Sequence, residues 1–211
     1  MNEVGLIRIH QFGGPEMLQW EHSGLPDLKP GEVLVRHEAI GLNFIDTYHR
    51  SGLYPIDLPS GLGLEAAGIV EEIGPEVTHL NQGDRVVYAT APIGAYSEQR
   101  VCHSKFLIRI PDNISFETAA ASMLKGMTAE FLMERVFKVS PEHTILIHAA
   151  GGGVGQIAVR WAKSLGVKVI GTAGSDAKMG LARDAGCDIV IDYSKENFAD
   201  TVMRLTDGKG V

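Results

Sequence analysis

Three small residues, Ala150, Gly152 and Gly155, follow the spacing A-x-G-x-x-G, and the segments on either side give this spacing its meaning. Residues 144–147 are apolar or β-branched and predict a short buried strand, and residues 154–165 have the apolar period of a helix. A glycine-rich turn between strand and helix exposes backbone N–H groups at the positive end of the helix dipole. With a further strand predicted beyond the helix, the segment predicts binding of a dinucleotide pyrophosphate. The residues expected to contact it are Gly152, Gly153, Val154 and Gly155.

The end of the second predicted strand, 167–172, indicates which dinucleotide is bound. An acidic residue at this point bonds the ribose 2′-hydroxyl of NAD and repels a 2′-phosphate, but this chain has Ala173 there. Hydroxyl groups and a cation follow, so we predict that the cofactor is NADPH. The residues expected around its 2′-phosphate are Gly174, Ser175, Lys178 and Tyr193. Asp176 is interpreted as the N-cap of the next helix, the alternative being an acid that selects NAD.

The elements around these residues fall into two classes. Short β-type runs separated by glycine and proline are predicted at 6–10, 33–39, 67–73, 84–89, 96–101 and 107–110, with one helix at 44–50. From Ser115 the pattern changes to a helix that continues through 119–133. Strands at 144–148, 167–172 and 188–191 then alternate with helices at 154–165, 176–185 and 197–205. We therefore predict an α/β protein, with a mostly antiparallel domain at 1–120 and the first part of a doubly wound parallel sheet at 121–211.

Composition excludes several other classes of protein. The formal charge of −7 argues against a general nucleic-acid binder, and no segment is apolar enough to predict a membrane span or a signal peptide. Cys102 and Cys187 are the only cysteines, too few and too far apart for a disulfide framework. A reducing, cytoplasmic location is therefore expected.

Several longer motifs resemble one known family. They are Asn43-Phe44-Ile45-Asp46-Thr47-Tyr48, Gly63-Leu64-Glu65-Ala66-Ala67-Gly68, Gly83-Asp84-Arg85-Val86 and Lys125-Gly126-Met127-Thr128. In this order they resemble the zinc-independent quinone oxidoreductases of the medium-chain dehydrogenase/reductase superfamily. The resemblance implies a GroES-like catalytic domain followed by a Rossmann domain that is truncated after three strands. It also implies NADPH, a quinone or conjugated carbonyl substrate, a homodimer, and a native protein that continues beyond Val211.

The same resemblance assigns roles to residues of the first domain. Hydride transfer to a carbonyl leaves negative charge on oxygen, so the site needs hydrogen-bond donors and later a proton. Asn43, Tyr48 and Tyr54 are the predicted catalytic residues, although Asn43 could also simply cap helix 44–50 and the tyrosines could be wall residues. Cofactor contacts are expected from Phe44, Asp46, Tyr48, Lys125 and Thr128. Glu65 is interpreted as a buried carboxylate paired with an arginine.

A metal is not expected. Zinc-dependent members of the superfamily hold their catalytic metal with cysteine and histidine. At the first two of those positions this chain has Asn43 and Leu64, and residues 120–128 contain no cysteine.

Two other functions remain open. The same scaffold could reduce the double bond of an enone, an alkenal or an enoyl thioester with NADPH. It could also be a non-catalytic nucleotide-binding or crystallin-like structural protein. Steady-state assays of quinone against enone acceptors would separate the first alternative, and NADPH binding would test the second.

Overall fold

The computed structural model describes residues 3–90 and 92–211, and the chain separates into two compact units. Unit 1 extends to Leu124 and unit 2 runs from Lys125 to Val211. The elements of unit 1 begin with β1 (Glu3–Ile9), β2 (Gln19–Gly24), β3 (Glu32–Gly41), α1 (Phe44–Ser51), β4 (Ser60–Gly61), β5 (Glu65–Ile73), β6 (Arg85–Ala89), β7 (Gln99–His103) and β8 (Ile108–Arg109). They are followed by α2 (Phe116–Glu130), β9 (Thr144–Ile147), α3 (Gly153–Ser164), β10 (Lys168–Ala173), α4 (Asp176–Ala185), β11 (Ile189–Asp192) and α5 (Phe198–Leu205).

Unit 1 is built from two antiparallel sheets. One has the strand order β7-β3-β5-β6-β8 and the other has the order β2-β1-β4. Valines two residues apart on β3, Val33 and Val35, point to the same face and are fully buried with Val70 and Val86. The predicted antiparallel β unit is therefore confirmed.

Helix α1 follows the end of β3 and carries the polar motif that starts at Asn43. Its N-cap is Asn43, in an extended conformation, and its C-cap is Gly52, at a left-handed φ of 80° that favours glycine. The buried face of the helix contains Asp46 and His49, while Phe44 is 75% exposed. A short helix with fixed ends thus sets the direction of each side chain in the motif.

Unit 2 contains a three-stranded parallel sheet in the order β11-β10-β9. Neighbouring residues of β10 point to opposite faces, because strand side chains alternate. Val169 is buried in the cluster that includes α3 and α4, and Ile170 is buried with Val202 of α5. Helices cover both faces of the sheet, as the alternating pattern of the sequence predicts.

Some predicted boundaries are wrong. The α-helix predicted through residue 133 ends at Glu130, and a π-helical segment continues the turn from Phe131 to Val136. The strand predicted at 96–101 is shifted to Gln99–His103, and β2 and β4 were not predicted. Within the described residues, no helix is long and apolar enough to span a membrane.

Candidate functional site

The glycine turn of unit 2 has the geometry of an anion site. Gly152 is the extended N-cap of α3, and the first helical hydrogen bond runs from the N–H of Gln156 to the oxygen of Gly152, 2.9 Å away. The N–H groups of Gly153, Val154 and Gly155 precede this bond at the start of a 12-residue helix. They therefore face the positive end of the helix dipole, where a phosphate binds.

Gly155 allows α3 to start close to the strand before it. A Cβ at position 155 would lie 2.5 Å from the oxygen of Ala149 and 2.7 Å from the Cα of Ala150. Both are backbone atoms, so only glycine fits without a displacement of the helix. This is the close helix–strand packing that the last glycine of the fingerprint provides.

Ala149 is a feature of the turn that the sequence did not reveal. It has a φ of 51°, in the left-handed region that non-glycine residues rarely adopt. Its oxygen accepts a hydrogen bond from the N–H of Gly152 at 2.7 Å, which closes the turn. Strained backbone of this kind concentrates at ligand-binding sites.

An open cavity of about 480 Å³ lies against the turn within unit 2. Its walls combine backbone of the glycine turn with apolar side chains from the π-helical segment, β9 and α3. His148 also lines it, with Nδ1 3.1 Å from Oγ1 of Thr172 and its ring edge-on to Phe198. The cavity offers mostly apolar walls beside polar N–H groups, which is typical of cofactor sites.

The end of β10 carries the residues predicted for a 2′-phosphate. The strand ends at Ala173, and the ring of Tyr193 lies over Gly174, where a Cβ would be 2.5 Å from the tyrosine Cζ and Oη. Ser175 is the N-cap of α4, and its hydroxyl accepts a hydrogen bond from the N–H of Lys178 at 3.4 Å. The structure thus brings Gly174 together with Tyr193, and Ser175 with the backbone of Lys178.

The interpretation of Asp176 as an N-cap is wrong. Ser175 has the extended conformation of a cap, with φ −157° and ψ 154°, and Asp176 is the first helical residue. The carboxylate of Asp176 lies 3.8 Å from Nζ of Lys195. The negative charge of Asp176, which would repel the 2′-phosphate of NADPH, therefore has a cation nearby.

Lys195 is a residue that sequence reasoning missed. Its Nζ lies 2.9 Å from the carboxylate of Asp192, the last residue of β11. Hydrogen bonds from Ser194 and from Lys195 lower the pKa of Asp192 to about 2. The sequence shows a lysine two residues after Tyr193, but the A-x-G-x-x-G pattern specifies no residue at this distance.

Lys125 and Thr128 are on α2, at the beginning of unit 2. The side chain of Lys125 reaches the glycine turn, because a Cβ at Gly153 would lie 2.8 Å from its Cδ and 3.0 Å from its Cε. Thr128 is half-buried one turn further along the helix. The structure therefore brings Lys125 to the turn, and the cofactor contact of Thr128 stays a prediction.

In unit 1, Asn43 is held at its backbone and at its side chain. Its N–H donates to Oδ2 of Asp46 at 2.9 Å, and its Nδ2 donates to Oε2 of Glu65 at 2.8 Å. Asn43 is 6% exposed and Glu65 is fully buried. Glu65 is the buried carboxylate that the sequence predicts, and the N–H of Leu124 also donates to it, at 2.6 Å. The expected arginine is not one of these partners.

Asp46 has a structural role in this unit. Besides the N–H of Asn43, its Oδ2 accepts a hydrogen bond from the hydroxyl of Tyr96 at 2.8 Å, and the residue is 4% exposed. Burial, followed by the hydrogen bond to Asp46, raises the pKa of Tyr96 far above its usual range. Asp46 therefore acts on the site by fixing Asn43; its direct contact with a cofactor stays a prediction.

Three aromatic side chains, two on α1 and one just after it, form a row. The ring of Tyr48 lies 5.4 Å from that of Phe44 and 5.2 Å from that of Tyr54. Phe44 and Tyr54 are 75% and 50% exposed, so the row presents flat apolar surface and phenolic hydroxyls to solvent. The predicted residues Phe44, Tyr48 and Tyr54 are thus brought together.

The two sets of residues differ in their chemistry. Unit 2 offers N–H groups at a helix start and cations, which suit phosphates. Unit 1 offers an oriented amide and phenols, which suit a carbonyl oxygen. Across residues 3–90 and 92–211, no group of three or more histidine, cysteine or acidic side chains is arranged to hold a metal ion.

The chain is similar to known dehydrogenases over most of its length. Residues 29–112 match a family model described as alcohol dehydrogenase GroES-like domain, and residues 153–211 match one described as zinc-binding dehydrogenase. The quinone oxidoreductase of Pseudomonas aeruginosa is 54% identical over 204 residues, which cover 96% of this chain and 63% of the relative. A 2-haloacrylate reductase of Burkholderia sp. is 44% identical over 209 residues, with 96% and 63% covered.

A solved structure extends the similarity to three dimensions. The crystal structure of Escherichia coli quinone oxidoreductase complexed with NADPH has a TM-score of 0.95 to this chain at 48% identity, covering 97% of this chain and 63% of the other. The chain thus spans about 63% of the length of these relatives. The predicted resemblance is confirmed: the chain belongs to the quinone oxidoreductase family of the medium-chain dehydrogenase/reductase superfamily.

Proposed function

We propose that the protein containing this chain is an NADPH-dependent quinone oxidoreductase. The observation that carries the proposal is the match to the Escherichia coli relative, whose crystal structure contains NADPH. The glycine turn of this chain independently has the N–H groups and the close helix–strand packing that a dinucleotide pyrophosphate requires.

The residues of unit 2 fit NADPH better than NADH. The strand β10 ends at Ala173, so no carboxylate occupies the position that bonds a free 2′-hydroxyl. We assign the pyrophosphate to the N–H groups of residues 153–155 and the 2′-phosphate to Ser175, Lys178 and Tyr193. Lys195 adds a cation to this region, which it shares between Asp192 at 2.9 Å and Asp176 at 3.8 Å.

NADPH, when bound, supplies the hydride. The residues of unit 1 then stabilise the negative charge that develops on the acceptor oxygen, through the amide of Asn43 and the hydroxyl of Tyr48. The rings of Tyr48 and Tyr54 offer flat surfaces against which a quinone can lie. Because a hydroquinone anion is a stabilised product, positioning contributes more than strong acid catalysis.

We propose that the reaction needs no metal, because the residues at the resembling positions are poor ligands. An amide such as that of Asn43 binds zinc weakly, and Leu64 cannot bind it.

Reduction of a conjugated carbon–carbon double bond is the second candidate. The 2-haloacrylate reductase relative, 44% identical, favours it, because its name denotes an acceptor with such a bond. The donors of unit 1 would stabilise an enolate as they would a hydroquinone anion. The two candidate functions therefore differ only in the acceptor that is reduced, a quinone or a conjugated carbon–carbon double bond.

The test is NADPH oxidation by the protein at its native length with a panel of quinones and enones. We expect turnover with quinones that exceeds turnover with enones, and preference for NADPH over NADH. Faster turnover of enones would favour the second candidate, and absence of NADPH binding by a folded protein would refute both.

The compartment and assembly belong to the same proposal. We propose a cytoplasmic homodimer, the dimer resting on the family resemblance. Cys102 and Cys187 are both free thiols, which suits a reducing compartment. Sedimentation analysis of the native-length protein tests the dimer.

A further inference from the structure

Glu65 joins two parts of unit 1 that are distant in sequence. It is the first residue of β5 and is completely buried. Its Oε2 accepts a hydrogen bond from Nδ2 of Asn43 at 2.8 Å, and its Oε1 accepts one from the N–H of Leu124 at 2.6 Å. Burial of a carboxylate away from solvent costs free energy unless hydrogen bonds compensate for it, so these bonds are required at this position.

The second of these bonds enters the middle of a helix. Leu124 belongs to α2, where the N–H of each residue ordinarily faces the carbonyl four residues earlier, here that of Ala120. The oxygen of Ala120 and the carboxylate both crowd Gly41, since a Cβ at position 41 would lie 2.2 Å from the first and 2.4 Å from Oε2 of the second. Glycine at 41 is what allows Glu65 to approach both partners.

The first bond decides which end of the Asn43 amide faces Glu65. An ionised carboxylate only accepts hydrogen bonds, so the NH2 end of the amide must turn toward it. The backbone of Asn43 is fixed separately by Asp46. Packing alone would not distinguish the two ends of the amide, because they have nearly the same shape.

We propose that Glu65 is a positioning residue, which sets the orientation of the Asn43 amide for the reaction. The proposal rests on the proposed function of Asn43 as a group that contacts the reduced acceptor. Glutamine at 65 would present an NH2 group to one of two donors, Asn43 Nδ2 or Leu124 N–H. If that NH2 group faces Asn43, the Asn43 amide turns over or loses this hydrogen bond, with almost no change in the volume of the core.

The experiment compares Glu65→Gln with the matched control Glu71→Gln in the native-length protein. Glu71 lies on the same strand, and its carboxylate also accepts two hydrogen bonds, from Arg36 at 2.7 Å and Gln99 at 2.6 Å. We expect Glu65→Gln to lower kcat about 10- to 100-fold, as misplacement of a catalytic group does. Its Kd for NADPH should stay within about twofold of wild type, and the control should leave both constants within about twofold.

A readout that does not depend on turnover is the side-chain amide signal of Asn43 in ¹⁵N–¹H spectra, identified by its loss in Asn43→Asp. In the wild type one of its two protons should lie downfield and exchange slowly, and this difference should disappear in Glu65→Gln. If Glu65→Gln does not fold, the wild-type signal decides, and an amide signal like that of a solvated asparagine overturns the proposal.

The outcomes separate the two proposals. Wild-type kcat in Glu65→Gln, in an enzyme that is active with quinones or enones, overturns the positioning role alone. A wild-type protein that binds NADPH but reduces no acceptor contradicts the proposed function. In that case the orientation of Asn43 by Glu65 is judged by the amide signal of the two proteins.

Discussion

Replacement of Gly155 by alanine tests whether close packing of α3 on the preceding strand creates the phosphate site. The added Cβ would lie 2.5 Å from the oxygen of Ala149, and 2.7 and 2.8 Å from the Cα and oxygen of Ala150. An ordinary contact begins at 3.4 Å, so the start of the helix has to move by about 0.6–0.9 Å. Because all three neighbours are backbone atoms, no side-chain rotation relieves the clash.

Two effects are expected from Gly155→Ala. Overpacking of this kind costs about 1–3 kcal/mol of the free energy of unfolding. The displaced N–H groups of residues 153–155 would also lose hydrogen bonds to a charged phosphate, each worth about 1.5–3 kcal/mol. We therefore expect the Kd for NADPH to rise about 10- to 100-fold, since 1.4 kcal/mol is a factor of ten.

The assays are urea unfolding and titration with NADPH followed by tryptophan fluorescence, for which Trp20 and Trp161 are the two reporters. Gly180→Ala is the control, because Gly180 lies within α4 and a Cβ there meets no atom within 4 Å. It should leave the Kd unchanged and stabilise the protein by about 0.5–1 kcal/mol through helix propensity. If Gly155→Ala has the free energy of unfolding and the Kd for NADPH of the wild type, the packing argument is refuted.

Three further predictions concern charge, catalysis and pH. Lys178→Ala should raise the Kd for NADPH about tenfold and leave the Kd for NADH within twofold. The control Lys168→Ala, at the opposite end of β10, should change neither Kd, and an equal rise of both Kd values in Lys178→Ala would remove the 2′-phosphate assignment. Tyr48→Phe should lower kcat with quinones about 10- to 100-fold while the Kd for NADPH is retained, and an unchanged kcat would exclude the phenol from the reaction. Burial, opposed by the hydrogen bond to the oxygen of Ser97, lowers the pKa of His37 from 6.5 to about 4, so the unfolded chain binds the extra proton. The free energy of unfolding should therefore fall by up to ~3 kcal/mol as pH drops from 6.5 to 4. In urea unfolding, His37→Gln should lose less stability over this pH range than the wild type, and an equal loss in the two proteins would contradict the prediction.

Elements with local signals at both ends were predicted well. Helix α4 was predicted at 176–185 and occupies Asp176–Ala185, between a polar N-cap and Gly186, which ends it at a φ of 111°. The predicted cap, Asp176, was one residue too late, since Ser175 is the N-cap. The glycine turn was predicted for the same reason, since strand, turn and helix are adjacent in sequence. Such elements depend on residues within one or two turns of each other.

Strand β2 shows where this reasoning fails. Its sequence, Gln19–Gly24, contains one large apolar residue, Trp20, which is 55% exposed, so no alternation marks a buried face. The segment is a strand because β1 pairs with it along its whole length. Pairing with a partner strand is not encoded in the segment itself.

The functional contacts of Glu65 were missed for a related reason. Its partners Asn43 and Leu124 are 22 and 59 residues away in sequence. The motif around Glu65 predicted its burial, because small residues surround it, but no local pattern specifies an amide on one side and a helix N–H on the other. The candidate site was thus predicted as a set of residues, and its hydrogen bonds were not.

The ring of Tyr193 fills the space that a side chain at position 174 would need, with Cζ and Oη both 2.5 Å from the position of a Cβ there. A larger residue at 174 is accommodated once the ring has been trimmed or has swung away, whereas loss of the ring at 193 creates no clash. The effect of a substitution at position 174 is therefore expected to depend on whether the ring of Tyr193 is present.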